Sequence, residues 1–273
     1  MNTSILVQGL SFAEGPRWHQ GKLWFSDFYT NTVYCMDEHG EMEAVVEVPG
    51  HPSGLGWLPN GDLLVVSMKN KQVLRYDGSE LHLHADLSAF VAGDCNDMVV
   101  DVNGDAWVGN FGFDIYAEEA KPTCLLRVMH TGEVEVAADG LMFPNGSVIS
   151  ADGRSLIVAE TMAARLSAYA VEADGRLGER YTWALTGDYM PDGISMDSAG
   201  GIWVAAPMSK QIIRVEEGGL ISHRIDLEQD SYACAVGGKT GQSLFICTSA
   251  HTVPSECEAQ RSGRIELLDL SAI

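Results

Sequence analysis

GKLWFSD at residues 21–27 recurs in altered form five more times along the chain. Each copy begins with a turn glycine, continues with small or polar residues and ends in a short apolar run typical of a strand. The other copies are GDLLVVS at 61–67, GDAWVGN at 104–110, GRSLIVAE at 153–160, GGIWVAA at 200–206 and GQSLFICT at 241–248. The intervals between their leading glycines are 40, 43, 49, 47 and 41 residues, which is enough for four short antiparallel strands with their turns.

Six such copies predict six structural repeats. Turn dipeptides such as Asn60-Gly61 and Asn103-Gly104 separate the strand-like runs and indicate β-hairpins rather than helices. We therefore predict an all-β fold, a six-bladed β-propeller forming one domain over residues 1–273, with the first strand of each blade lining the axis. A pair of β-sandwiches is the alternative, but it would not require six equivalent segments, and no Pro/Ser-rich linker divides the chain.

Composition limits the partners. The 273 residues are 46% hydrophobic, enough for a substantial core, and 17 Lys and Arg against 38 Asp and Glu give a net charge of −21. Nucleic acid and anionic lipid are disfavoured, because both are negatively charged. With no apolar run long enough for a membrane span and no signal-peptide pattern, we expect a cytoplasmic protein without a membrane partner. Six scattered cysteines without a CxxC motif indicate free thiols.

The repeat also predicts where a site would lie. Eight residues before each leading glycine, or seven in the first copy, the preceding strand begins, and the propeller brings these positions around one axis. The residues there are Glu14, Ser53, Asn96, Asn145, Asp192 and Ala233. Carboxylate, amide and hydroxyl oxygens converging on a channel suit Ca²⁺, Mg²⁺ or Mn²⁺. Pairs such as Asn-Gly and Asp-Gly are also ordinary turn formers, but their recurrence at one repeat position favours a divalent metal site in the central channel.

Four segments carry a resemblance to a known family. They are FAEGPRWHQGKLWFSD, CNDMVVDVNGDAWVGN, FPNGSVISADGRSLIVAE and PDGISMDSAGGIWVAAPMSKQIIRV. With EGP, NDM, PNG and PDG in this order and spacing, the chain resembles the family of gluconolactonase, regucalcin (senescence marker protein) and luciferin-regenerating enzyme, from about residue 10 to about residue 250. Members of that family are six-bladed propellers with one divalent cation in the channel.

The resemblance implies roles for particular residues. It places the metal ligands on Glu14, Asn145 and Asp192, and the substrate-side asparagine on Asn96, with Asp97 beside it. It also implies that Asp192 acts as general base toward water, while the cation polarises the carbonyl of a lactone. Ca²⁺ is the favoured cation, with Mg²⁺, Mn²⁺, Zn²⁺ or Fe²⁺ as alternatives. For Asp97, a salt bridge or strand cap is an equal alternative to contact with substrate or water.

One departure from the family concerns specificity. Sugar-lactone members have an arginine two residues before the substrate-side asparagine, whereas this chain has Asp94. A carboxylate cannot donate to substrate hydroxyls, so we predict recognition through apolar contact with Phe111, Phe113 or Phe143, and a less hydroxylated substrate. Ordinary packing between blades is the alternative role for these aromatics. A further acid of the family corresponds loosely to Asp114, a candidate substrate-binding residue.

The sequence thus predicts a metal-dependent lactonase, a carboxylic ester hydrolase acting on a small-molecule lactone or ester. It contains no GxSxG, P-loop or HExxH motif, which removes the commonest alternative catalytic devices. Two other functions stay open. One is a phosphotriester or fluorophosphate hydrolase, in which the cation would polarise P=O, and the other is a ligand-binding propeller with a structural ion.

Overall fold

The computed structural model describes residues 3–272. Within them the strands form six four-stranded antiparallel sheets, the blades of a six-bladed β-propeller, as the repeat predicts. The first twelve strands are β1 (Ser4–Leu10), β2 (Ala13–His19), β3 (Lys22–Asp27), β4 (Thr32–Met36), β5 (Met42–Glu47), β6 (Pro52–Trp57), β7 (Leu63–Ser67), β8 (Gln72–Tyr76), β9 (Leu81–Asp86), β10 (Cys95–Val100), β11 (Ala106–Asn110) and β12 (Thr123–Val128).

The remaining strands complete blades three to six. They are β13 (Val134–Leu141), β14 (Pro144–Ile149), β15 (Ser155–Glu160), β16 (Arg165–Ala170), β17 (Tyr181–Leu185), β18 (Ile194–Met196), β19 (Ile202–Ala206), β20 (Gln211–Val215), β21 (Ile221–Asp226), β22 (Asp230–Gly237), β23 (Ser243–Ser249) and β24 (Gly263–Asp269). One short helix, α1 (Pro254–Gln260), and two 3₁₀ turns, Thr161–Ala163 and Leu270–Ala272, account for the helical structure of the described residues.

Each blade is built outward from the axis. Blades one to five are β2–β5, β6–β9, β10–β13, β14–β17 and β18–β21, each in chain order. The innermost strands β2, β6, β10, β14, β18 and β22 contact one another in a closed ring, which confirms that the first strand of each blade lines the axis. Blade six joins the two ends of the chain, because the N-terminal β1 pairs antiparallel with β24, Ser4 opposite Leu267.

The six leading glycines occupy the turns that the repeat predicts. All six have positive φ, between 70° and 94°, where a side chain is disfavoured. In five blades the turn joins the first and second strands through the same hydrogen bond, such as Gly61 N–H to Leu58 O at 2.9 Å and Gly104 N–H to Asp101 O at 3.1 Å. The first blade uses a tighter two-residue turn at Gln20-Gly21.

A second set of glycines lets the innermost strands of neighbouring blades lie close to one another. Asn145-Gly146 lies within β14 and Ser53-Gly54 within β6, so neither pair is a turn. A Cβ on Gly146 would lie 2.6 Å from the backbone oxygen of Asp192, and one on Gly54 would lie 2.2 Å from the backbone nitrogen of Met98. These contacts are too short for any side chain. The glycine after a ring residue is therefore required by the packing of neighbouring blades.

The core lies between the blades. Its largest fully buried side chains include Trp107, Trp203, Phe25 and Phe245. All six cysteines are free and buried, as predicted. Among the described residues, no helix has the length and apolar character needed to cross a membrane.

Candidate metal centre and substrate cavity

A cavity of about 620 Å³ opens on the face where the innermost strands begin. Glu14, Asn96, Asn145 and Asp192 all line it, so the structure brings together four of the predicted site residues from blades one, three, four and five. Glu14, Asn96 and Asn145 are buried, and Asp192 is partly exposed to the cavity. The two other ring positions contribute little polar surface, because Ser53 is fully buried and Ala233 carries no oxygen.

A hydrogen-bond relay runs around the ring. Ser53 Oγ donates to Asn96 Oδ1 at 3.4 Å, and Asn96 Nδ2 donates to Asn145 Oδ1 at 2.8 Å. Asn145 Nδ2 donates to Thr161 Oγ1 at 3.1 Å, and that hydroxyl donates to the carbonyl of Pro191 at 2.7 Å. Since an amide oxygen has two lone pairs, Asn145 Oδ1 retains one for a further ligand. The relay holds the Asn145 side chain in place for that ligand.

The two carboxylates of the ring carry strongly perturbed pKa values. Burial is the largest cause at Glu14, and the charge of Asp192 adds to it, so that the pKa of Glu14 lies well above its usual range. Burial likewise raises the pKa of Asp192 to about 8, although the Asn145 amide and the Gly193 N–H favour its charged form. Within residues 3–272, neither carboxylate forms an ion pair with a lysine or arginine. The charge of nearby Arg17 opposes the rise at Glu14 only in part, so the two carboxylates have no direct cationic partner.

This donor set fits a hard divalent cation. Two carboxylates and an oriented amide oxygen are ligands that Ca²⁺ and similar ions prefer, and a cation would offset the electrostatic cost of ionising Glu14 and Asp192 together. The described part of the chain contains no group of three or more His, Cys, Asp or Glu side chains arranged to hold a metal. The candidate site has a different composition, because the third predicted ligand, Asn145, is an amide.

Asp97 lies behind the ring rather than in the cavity. Arg17 Nη2 donates to both of its carboxylate oxygens, at 2.7 and 2.8 Å, and to the Met98 carbonyl at 2.6 Å. Asp97 is 4% exposed and does not line the cavity. This geometry corresponds to the salt-bridge alternative for Asp97. Arg17 had no role in the sequence prediction, because nothing in EGPR signals a contact that spans from blade one to blade three.

One sector of the cavity wall is aromatic and apolar. Phe143 packs edge-on against Phe111, with ring centres 4.6 Å apart, and against Phe113 at 6.3 Å. All three side chains line the cavity, as do Met162 and Met190. The aromatics thus pack on one another and also line the cavity, a position from which they could contact a substrate.

An adjoining sector, on blades two and three, is polar, and it begins next to Phe111, whose N–H donates to the carbonyl of Asp94 at 2.9 Å. Asp94 lines the cavity and is paired with Lys69, whose Nζ lies 2.5 Å from its Oδ2. Asp94 itself cannot donate a hydrogen bond to substrate, but the ammonium group of Lys69 beside it can. His51 lies beside this pair with a left-handed φ of 62°, held by a hydrogen bond from its N–H to Asn31 Oδ1 at 3.1 Å. Burial, then the charge of Lys69, keeps the pKa of His51 below its usual value.

Asp114 lies at the cavity mouth, on the loop between β11 and β12. Its Oδ1 accepts the backbone N–H of Tyr116 at 2.9 Å, and its backbone carbonyl accepts the N–H of Glu118 at 2.9 Å. It is exposed and far along the chain from any ring residue. The structure therefore places it where a substrate could enter, with a role in shaping the loop.

Residues 12–251 match a sequence profile described as the SMP-30/Gluconolactonase/LRE-like region. The chain belongs to this family. Among its relatives is a pentonolactonase of Haloferax volcanii, 24% identical over 257 residues, which cover 90% of this chain and 84% of the relative. The family assignment agrees with the resemblance seen in the sequence.

Solved structures show the same propeller as this family member. A protein from Agrobacterium tumefaciens described as calcium-binding regucalcin superposes with a TM-score of 0.81 at 20% identity, covering 98% of this chain and 93% of the other. A gluconolactonase from Xanthomonas campestris superposes with a TM-score of 0.78 at 22% identity, covering 97% and 88%. At these identities the likeness establishes the fold.

Proposed function

We propose that the protein is a lactonase that hydrolyses a cyclic ester with the help of a divalent cation held by Glu14, Asn145 and Asp192. The observation that carries the proposal is a pair of carboxylates, neither of them in an ion pair with a described lysine or arginine, that lines an open cavity beside an oriented amide. The relatives support it, since two are named for lactone hydrolysis and one is described as calcium-binding. Ca²⁺ is accordingly the first cation to test.

The residues of the ring would have different roles in catalysis. A bound divalent cation polarises the ester carbonyl and stabilises the negative charge that develops on its oxygen. Glu14 and Asn145 would anchor the ion from blades one and four. Asp192, the most accessible of the three, would accept the proton of the attacking water and return it to the alkoxide oxygen that is released when the ring C–O bond breaks. Asn96 would fix the Asn145 amide through the 2.8 Å hydrogen bond and present its other N–H toward substrate.

The charge of the cavity favours a neutral substrate. Its lining includes two lysines, at 69 and 121, against five carboxylates, at 14, 94, 114, 118 and 192. A divalent cation would leave this surface with a small negative excess. A neutral lactone can enter without electrostatic cost, whereas the hydroxycarboxylate formed on hydrolysis is an anion, and the excess negative charge would assist its release.

Hydrolysis of a lactone panel by purified protein tests the proposal. Acid release is followed with a pH indicator in the presence of Ca²⁺, for wild type, Asp192→Asn and Asp188→Asn. Asp188 is an exposed carboxylate on the same segment, so its variant controls for the general effect of changing Asp to Asn. We expect Asp192→Asn to lose a hundredfold or more in kcat, consistent with loss of a general base, and Asp188→Asn to match wild type. Wild-type turnover by Asp192→Asn would remove Asp192 from that role.

A further inference from the structure

Five large exposed apolar side chains either line the cavity or directly follow a residue that lines it, a set that we call the apolar rim. Their exposed fractions are 41% for Ile115, 65% for Tyr116, 41% for Met162, 83% for Met208 and 44% for Val253. Ile115, Tyr116 and Met162 also line the cavity. Met208 and Val253 adjoin Pro207 and Thr252 respectively, which line it as well. Exposed apolar side chains grouped around a cavity are typical of a binding site.

Met208 is the most unusual member of the rim. Its φ is 66°, in the left-handed region, which costs a non-glycine residue about 1–2 kcal/mol. The chain thus holds a long apolar side chain in water, on a strained backbone, directly after a residue of the cavity wall. Strained residues of this kind concentrate at functional sites.

Three members of the rim continue the apolar sector of the cavity, whereas Ile115 and Tyr116 lie beside the polar side chain of Asp114. Met162, Met208 and Val253 belong to the second-to-third strand loops of blades four, five and six. The corresponding loop of blade two carries Lys69, which pairs with Asp94. Buried Phe143 and exposed Met162 both line the cavity, and the N–H of Thr161 donates to the carbonyl of Phe143 at 3.1 Å, so apolar side chains extend from the cavity wall to its exposed edge.

We propose that the apolar rim binds the alkyl tail of an amphiphilic lactone, whose ring sits at the floor of the cavity. The inference rests on the proposed function, because the lactone head positions the tail. Five side chains are too few for a stable protein interface, which needs about 20–30 residues a side. The net charge of −21 opposes an anionic lipid surface. Methionine side chains adapt to flexible apolar ligands, which suits tails of different length.

The proposal predicts a dependence on chain length. Each methylene that moves from water onto the apolar wall or rim tightens binding about three- to fourfold at full burial. The gain should level off once the tail extends beyond Met208. Variants of the rim should lose the gain from the distal methylenes only.

Binding of γ-alkyl-γ-lactams, which resemble the lactones but resist hydrolysis, tests the inference without requiring turnover. Calorimetric Kd values are measured for tails of one to ten carbons, below micelle formation, with Ca²⁺ present. The variants are Met208→Asn, since asparagine tolerates the left-handed region, and Met208→Asn combined with Met162→Gln. Val102→Ser is the matched control, because Val102 is 92% exposed in the β10–β11 turn on the opposite face.

We expect wild type and Val102→Ser to bind ten-carbon lactams at least thirtyfold more tightly than one-carbon lactams. The double variant should lose about tenfold on the long tails and less than twofold on the short ones. A Kd independent of tail length would overturn the inference, and so would an equal gain in wild type and in the double variant. Failure of the proposed function is seen separately, as absent hydrolysis of the matching lactones.

Discussion

Replacing Asp192 by asparagine should change how stability depends on pH in the protein stripped of metal. Burial raises the pKa of this carboxyl from its ordinary 3.8 to about 8. Between these pH values the folded state retains a proton that the unfolded state releases, so stability falls as pH rises and the loss is complete above about pH 8. A rise of about four in pKa corresponds to a loss on the order of 5 kcal/mol, or roughly 10 °C or more in Tm for a domain of this size.

Thermal unfolding in EDTA and in Ca²⁺, followed by circular dichroism at pH 5 and pH 8.5, measures this effect. Wild type in EDTA should melt at lower temperature at pH 8.5 than at pH 5. Ca²⁺ should raise the Tm at pH 8.5 most of the way back to its value at pH 5, because it binds the ionised carboxylates. Asp192→Asn in EDTA should be less sensitive to pH, with a residual fall from Glu14, whose pKa is also raised by burial. Equal pH sensitivity in wild type and Asp192→Asn would refute the electrostatic account of the site.

Three further predictions concern packing, a buried ion pair and specificity. Gly146→Ala should lower the free energy of unfolding, measured in urea, by more than 3 kcal/mol, because its Cβ would lie 2.6 Å from backbone atoms of the next blade. The control Gly153→Ala, with open space around it, should lower the free energy by about 1 kcal/mol. Equal losses would argue against the close approach of the inner strands. Although burial opposes it, the hydrogen bond from Arg165 helps to hold the pKa of Glu160 below its usual value, so Glu160→Gln should lose about 2–3 kcal/mol at pH 7. The difference from wild type should shrink as pH falls from the ordinary Glu range through the lowered pKa of Glu160, and a difference that does not shrink at all as pH is lowered would show that charge is not its source. Wild type should favour a neutral alkyl or aryl lactone over gluconolactone by about tenfold or more in kcat/KM. Asp94→Arg should shift this ratio toward gluconolactone. An unchanged ratio would show that residue 94 does not contact the substrate.

The architecture was predictable because its repeat is local. Each leading glycine marks a turn between two neighbouring strands. Six copies of one short pattern therefore predict the number of blades and show which residues lie around the axis. The closing pairing of β1 with β24 could not be predicted in the same way. It joins residues at opposite ends of the chain, and no short pattern in SILVQGL distinguishes an outermost strand of blade six from a strand of blade one.

The residues of the site that belong to the ring were predictable from the sequence. Glu14, Asn96, Asn145 and Asp192 share one repeat position, and the fold brings equivalent positions together. The cavity walls were harder, since they come from loops that differ from blade to blade. Lys69 is an example, because its pairing with Asp94 joins residues 25 apart in sequence through two unrelated loops.

Lactone hydrolysis by metal-stripped protein tests the central claim most directly. The protein is dialysed against a chelator, re-supplied in turn with Ca²⁺, Mg²⁺, Mn²⁺, Zn²⁺ or Fe²⁺, and assayed on a neutral alkyl lactone and on gluconolactone. The account predicts negligible turnover without metal and recovery with at least one cation, with Ca²⁺ expected first. Full activity after verified removal of metal, or no turnover of either lactone with any of the five cations, would contradict it.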